Sequence, residues 1–205
     1  MNKSMMDNPG LCQGTEKEPC VTALPKDPRR PGRGSSEQYL DKETILCELQ
    51  IVPGSVILDA GCGNGYMAKE FCTALNGSGR VYALDRSRDA IDALSMTATG
   101  TNIHAAAADI TKSTPLPQAS VDLIYLSNVF HIFSAEQIRG FNREVKRLLK
   151  PGGRLAIVEL EKRSMPIGPP VGRRHSPQEL ERAVGLQPVA LADVGPYHYM
   201  QIFRI

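Results

Sequence analysis

Short apolar runs alternate with amphipathic stretches along most of this chain. Residues 36–50 open the pattern, with Ser36 a candidate cap and Tyr39, Leu40, Ile45, Leu46 and Leu49 forming the apolar side of a helix; Pro53-Gly54 ends it. A strand follows at about 55–60, then a helix burying Met67, Ala68, Phe71, Cys72 and Leu75, stopped near Asn76-Gly77. Strands at about 80–85 and 103–108 flank a helix capped by Ser87, with Ala90, Ile91 and Leu94 inward. The run Val121-Asp-Leu-Ile-Tyr-Leu126 predicts a fourth strand. Ser134 caps a long helix reaching about Leu149, Lys150-Pro-Gly-Gly153 stops it, and residues 154–160 predict a fifth strand. Ser176-Pro177 starts a last helix, with proline at its first position. Residues 187–194 and 197–205 then read as two strands joined by Gly195-Pro196. Strands alternating with helices predict a parallel, doubly wound α/β sheet. The closing hairpin makes it a mostly parallel seven-stranded sheet with an antiparallel C-terminal strand, in a single domain.

The first 34 residues break the pattern. They are rich in proline, glycine and charge, with no period of 2 or 3.6, and predict a flexible arm before a folded domain spanning 35–205. Arg29, Arg30 and Arg33 make the arm locally basic, either as a solvated tail or as a contact for an anionic partner. Elsewhere composition narrows the function. Hydrophobic residues make up 41%, charged residues 22%, and the formal net charge is +2, too small to argue for nucleic acid or a membrane surface. No apolar run approaches the roughly 18 residues of a membrane helix, and the first residues lack the apolar core of a signal peptide, so the expected location is cytoplasmic. Of five cysteines, Cys47 and Cys72 fall in helical apolar patterns and are expected to pack as small hydrophobes. Cys12 and Cys20 lack a zinc-type spacing, so no metal is expected.

The chemistry concentrates in Val56-Ile-Leu-Asp-Ala-Gly-Cys-Gly-Asn-Gly65, a strand running into a glycine-rich turn and a helix. Gly61, Gly63 and Gly65 let the backbone turn tightly and a ligand approach. Asp85 stands about 20 residues on, at the tip of the second strand, where a carboxylate can accept from both hydroxyls of a ribose. The dinucleotide fingerprint would place glycine at 66, where this chain has Tyr66. Asp59 lies two residues before the first glycine, and a carboxylate there suits a cation and repels a pyrophosphate. These acids favour S-adenosylmethionine, with its sulfonium and ammonium groups, over NAD.

From about residue 37 onward the chain resembles the class I S-adenosylmethionine-dependent methyltransferases, in the style of small-molecule enzymes akin to the ubiquinone/menaquinone methyltransferase group. The motifs are Leu58-Asp-Ala-Gly-Cys-Gly-Asn-Gly65, Ala83-Leu-Asp85, Ala108-Asp-Ile110, Val121 to Leu126 and Leu149-Lys-Pro-Gly-Gly-Arg154. The resemblance implies a Rossmann-like fold and S-adenosyl-L-methionine as cofactor. It implies that Asp59, Gly61, Cys62, Gly63, Asn64 and Gly65 hold the methionine part, and that Asp85 takes the ribose. Arg86 would flank the adenine, Asp109 would accept from its amino group, and Ile110 would pack on the ring. Ser127 and Asn128 would line the methionyl end. Asp109 also reads as a simple Asp-Ile-Thr turn.

Methyl transfer is an in-line displacement on an activated carbon, so it needs positioning and exclusion of water more than a fixed motif. His131, just after the fourth strand, is the candidate base or substrate contact, or else a packed histidine. Tyr39, in the helix before the first strand, is the second catalytic candidate, or else a core contact. The Pro/Gly-rich stretch 161–175, with Arg173, Arg174 and His175, reads as a lid bordering the acceptor. The function expected is methyl transfer to a small-molecule acceptor by a monomer or homodimer. The rivals are a non-catalytic S-adenosylmethionine-binding partner subunit and an NAD-dependent oxidoreductase.

Overall fold

The computed structural model describes residues 36–205. The arm expected over residues 1–34, with Cys12, Cys20 and its arginines, lies outside the described residues.

Seven strands form one sheet: β1 (Val56–Ala60), β2 (Arg80–Asp85), β3 (Ile103–Ala107), β4 (Val121–Ser127), β5 (Leu149–Leu160), β6 (Gln187–Asp193) and β7 (His198–Arg204). Their order is β3-β2-β1-β4-β5-β7-β6. The pairs joining β3, β2, β1, β4 and β5 are parallel, and β7 runs antiparallel to both β5 and β6. This is the expected Rossmann-like sheet with an antiparallel last strand. Five helices cover it: α1 (Lys42–Leu49), α2 (Tyr66–Ala74), α3 (Arg88–Thr97), α4 (Ala135–Leu148) and α5 (Pro177–Val184). Side chains of the strands alternate between two cores. Ile57, Leu123 and Tyr125 join α1, α2 and α3 on one face, while Leu58, Ile124 and Leu126 join α4 and α5 on the other. Burial on both faces is why the central strands read as nearly continuous apolar runs.

Several local expectations are corrected. The helix read from Ser36 is a single 3-10 turn, Ser36–Tyr39, followed by α1. Asp41 caps α1, its carboxylate accepting from the Thr44 N–H at 3.0 Å and the Thr44 hydroxyl at 2.8 Å. Cys47 is exposed, because α1 buries only Ile45 and Leu49. Lys150-Pro-Gly-Gly153 lies inside β5: pairing with β4 jumps from Val121↔Leu149 to Leu123↔Arg154, and Gly152 takes a φ of 76° in that irregularity.

Because the chain fills the sheet outward from β1 in both directions, a crevice opens beyond the carboxyl ends of β1 and β4, where such sheets bind ligands. The segment after β3 is held in place by α4. A Cβ on Gly140 would stand 2.0 Å from the Thr111 carbonyl oxygen, so only glycine permits this approach. One turn on, the buried Glu144 accepts from the Thr114 N–H at 2.8 Å and the Thr114 hydroxyl at 2.7 Å. Arg147 donates to Glu144 and to the Leu116 carbonyl. Burial opposes the Glu144 charge, but the bonds from Arg147 and Thr114 outweigh it and hold the pKa below its ordinary value.

Gly140→Ala is expected to cost about 1–3 kcal/mol by overpacking this contact. A lowered urea midpoint would show it; an unchanged midpoint would mean that the contact does not fix the segment.

Candidate cofactor-binding site

The turn after β1 is built from backbone bonds and one carboxylate. The N–H groups of Gly61 and Cys62 both donate to the Leu84 carbonyl of β2, at 2.7 and 3.0 Å. Gly65 N–H closes the turn on the Cys62 carbonyl at 2.8 Å, and Asn64 Oδ1 accepts from the Tyr66 N–H at 3.0 Å. Asp85 spans two turns: one oxygen accepts from Gly63 N–H at 2.9 Å, the other from Ser87 N–H at 2.8 Å. Each of these oxygens keeps lone-pair capacity for a ligand. Two of the glycines are demanded by close packing as well as by positive φ. A Cβ at Gly61 would meet Val129 at 2.7 Å, and one at Gly65 would meet Leu94 at 2.4 Å. At Gly63 a Cβ would meet nothing within 4 Å, so that backbone faces open space.

Beside the turn is a cavity of about 340 Å³. Asp59, Gly61, Cys62, Gly63, Asn64 and Ser127 line it, as do Glu37, Leu40, Tyr66, Met67 and Tyr125. Asp59 is the most constrained group there. It is 3% exposed, and its Oδ2 is buried with no hydrogen-bond partner. Burial pushes its pKa up to about 7; the Ala68 N–H at the start of α2 pulls it down, and the charge of Asp85 adds to the rise. The Tyr125 hydroxyl in the same wall is also buried, with Ser127 beside it. Orphaned buried polar atoms are rare, and Asp59, which carries one, lines a cavity. An ammonium group entering the cavity would satisfy Asp59, whereas a phosphate would meet a carboxylate. Burial also pushes the Cys62 thiol up, so it sits here as a neutral group.

Asp85, Arg86, Asp109, Ile110, Asn128, His131 and Tyr39, the other expected site residues, do not line this cavity. Asp109 follows β3; its Oδ1 accepts from the Thr111 N–H at 3.0 Å and hydroxyl at 2.6 Å, and its Oδ2 lies 3.8 Å from Arg86 Nε. Burial opposes its charge, but Thr111 and Arg86 prevail and hold its pKa low. Asp109 therefore caps a turn, as its sequence also allowed, while one oxygen still points toward Arg86. Ile110 is buried in the core beneath α4. Asn128, at φ 57°, bonds Ser127 Oγ through Nδ2 at 3.2 Å and His198 Nε2 through Oδ1 at 3.1 Å. Burial pushes fully buried His198 down to about 4, so near neutral pH it is an uncharged donor to Asn128. Tyr39 is half-buried and packs edge-on against Tyr197 at 5.5 Å; its neighbours Glu37 and Leu40 line the cavity, and Tyr39 does not.

His131 has a partner that sequence reading missed. Glu159, fully buried near the end of β5, accepts from the His131 backbone N–H at 3.3 Å and faces Nδ1 at 2.8 Å. The signal was a lone acid in the otherwise apolar run Leu155-Ala-Ile-Val-Glu-Leu160. Tyr66 and Met67, which directly follow the turn, were also missed as cavity residues, as were Tyr125, Glu37 and Leu40, whose spacing does not tie them to the turn. Among the described residues no cluster of His, Cys, Asp or Glu could hold a metal ion, and no helix is long and apolar enough to cross a membrane.

Comparison with known proteins agrees with this geometry. Residues 57–153 match the family described as a methyltransferase domain. A solved S-adenosylmethionine-dependent methyltransferase from Aquifex aeolicus superposes with a TM-score of 0.75 at 27% identity, covering 83% of this chain and 93% of that one. An uncharacterised methyltransferase of Synechocystis is 29% identical over 135 residues, 64% of this chain and 58% of its own length. An S-adenosyl-L-methionine-dependent Diels-Alderase of Talaromyces variabilis is 34% identical over 129 residues, 60% of this chain and 42% of its own. The chain thus spans about half the length of these two curated relatives.

The Asp59 environment predicts a pH dependence. Its folded pKa, about 7, lies above the ordinary 3.8, so the native state holds the proton more tightly than the unfolded chain. Stability of the ligand-free protein should then fall as pH rises from about 4 to 7 and level off above. Urea midpoints across that range should show the decline, and Asp59→Asn should flatten it; a wild-type profile equally flat would refute the assignment.

Proposed function

Because the chain belongs to the class I S-adenosylmethionine-dependent methyltransferases, we propose that it transfers a methyl group to a small-molecule acceptor, leaving S-adenosylhomocysteine. The observation that carries this reading is the buried, half-partnered carboxylate of Asp59 beside an open glycine turn. When bound, S-adenosylmethionine supplies a methyl group made electrophilic by its sulfonium. Asp59 receives the ammonium group, and the turn from Gly61 to Gly65 lies along the methionine part. Asp85 accepts from the ribose hydroxyls with the lone pairs that Gly63 and Ser87 leave open. Arg86, Asp109 and Ile110 take the adenine end, and Ser127 and Asn128 the methionyl end.

At the acceptor end, the Glu159 carboxylate accepts from His131 Nδ1–H. That tautomer leaves Nε2 with its lone pair, so His131 can take a proton from a protic nucleophile. Glu159 is a positioning residue, holding tautomer and ring orientation. Tyr39 packs on Tyr197 and steadies the segment whose Glu37 and Leu40 line the cavity. Acceptor recognition rests on that segment and on residues 161–175, which suits a small molecule. A monomer or homodimer in the cytosol completes the reading.

The likeness to a Diels-Alderase favours a second reading, in which the same cofactor site serves a cycloaddition. A screen across a broad acceptor panel separates the two, because methyl transfer forms one S-adenosylhomocysteine per product and cycloaddition forms none.

Calorimetry is expected to show binding of S-adenosylhomocysteine and none of NAD. Asp85→Ala should weaken the former by about 1–3 kcal/mol as a charge-assisted bond is lost; unchanged affinity would refute the ribose role. With an accepted substrate, His131→Ala should lower kcat by about 100-fold or more while S-adenosylhomocysteine affinity stays constant. Glu159→Gln should shift the pH profile of kcat. An unaltered kcat in His131→Ala would remove the base from the mechanism.

A further inference from the structure

A second cavity, of about 410 Å³, opens between the 161–175 segment and α5. Its charged and titratable lining is Lys162, Arg173, Arg174, His175, Glu179 and Arg182, four cations against one carboxylate. Arg174 is the unusual member, at 4% exposure. Its guanidinium donates to the carbonyls of Pro169, Arg163 and Ile167 at 2.8 Å each and to that of Glu161 at 3.2 Å. All four partners are neutral, and no carboxylate pairs with Arg174 among the described residues. A buried cation bonded only to dipoles keeps an uncompensated charge, which an incoming anion would relieve. Glu179 does not relieve it: its oxygens are held by Lys162 at 2.6 and 2.7 Å and by the Ser176 N–H at 2.8 Å. The Glu161 side chain is held by Arg163.

Two further features point the same way. His175 Nδ1 is buried with no hydrogen-bond partner. Arg173 and Arg182 make no side-chain hydrogen bond or ion pair among the described residues, so their planar forks are available for bidentate contact with an oxyanion. The cavity is also tied to the acceptor end. His175 packs edge-on against Phe130 at 5.2 Å, next in the chain to His131, and the Tyr199 hydroxyl pins its carbonyl at 2.8 Å. Burial lowers the His175 pKa, and the Glu159 and Glu179 carboxylates oppose that shift only in part.

We propose that this cavity is an oxyanion site that holds a carboxylate or phosphate group of the methyl acceptor. The acid group would seat between Arg173, Arg182 and His175 and present the rest of the acceptor toward His131. The proposal rests on the methyl-transfer reading for its second half, while the oxyanion site itself can be tested alone.

The full chain, saturated with S-adenosylhomocysteine, is titrated with inorganic phosphate and separately with benzoate, followed by calorimetry and by the His175 ring resonances. One of the two anions is expected to bind and to move those resonances, and which one binds tells phosphate from carboxylate. The double variant Arg173→Ala/Arg182→Ala should weaken that binding by roughly tenfold or more, with S-adenosylhomocysteine affinity retained. No binding of either anion, or equal binding in the double variant, overturns the site. For any acceptor that turns over, the acid should exceed its methyl ester by about tenfold in kcat/KM, and parity would overturn the acceptor role. Loss of S-adenosylhomocysteine binding alone would instead count against the methyl-transfer reading.

Discussion

A carboxylate in the middle of a sheet sets the terms for this fold. Asp59 lies on β1, in register with Ala83 on one side and Tyr125 on the other, so it has no route to bulk water along the strand. A carboxylate left there with an unpartnered oxygen is costly unless something compensates it. The start of α2 compensates part of this through the Ala68 N–H, and burial withholds the rest. Such a residue weakens the empty protein. It is useful only if a cation arrives, and the adjoining cavity opens on it. The same sign of charge explains why a pyrophosphate is a poor fit and a cationic methionine derivative a good one.

The surrounding turn is stiff because its bonds cross between strands. Asp85 ties the β1 turn to the β2 turn through Gly63 and Ser87, while the Leu84 carbonyl holds Gly61 and Cys62. Gly61 and Gly65 leave no room for a side chain against Val129 and Leu94, and Gly63 alone faces open space. The turn is therefore shaped before a ligand binds, which reduces the ordering cost of binding.

Much of this was legible in the sequence because it is local. Strand and helix periods placed all seven strands, and the caps at Ser87, Ser134 and Ser176 were recognisable from residue type and spacing. Local patterns misplaced the start of α1, where Asp41 makes a better cap than Ser36, and ended a helix at Lys150-Pro-Gly-Gly153 where pairing with Val121 had already begun a strand. What stayed hidden depends on contacts between distant segments. Glu159 matters because β4 and β5 are neighbours and bring it to His131, 28 residues away in the chain. Arg174 matters because the 161–175 segment folds back on it with four carbonyls. No period or motif announces either arrangement.

The most direct test is the number of protons exchanged when S-adenosylhomocysteine binds, measured by calorimetry in buffers of different ionisation enthalpy. With the Asp59 pKa near 7 in the empty protein, binding at pH 6 should release about one proton as the carboxyl ionises against the ammonium group. The release should vanish at about pH 8.5, and at pH 6 in Asp59→Asn. Binding at pH 6 without proton release, or the same release in the variant, would contradict the role given to Asp59.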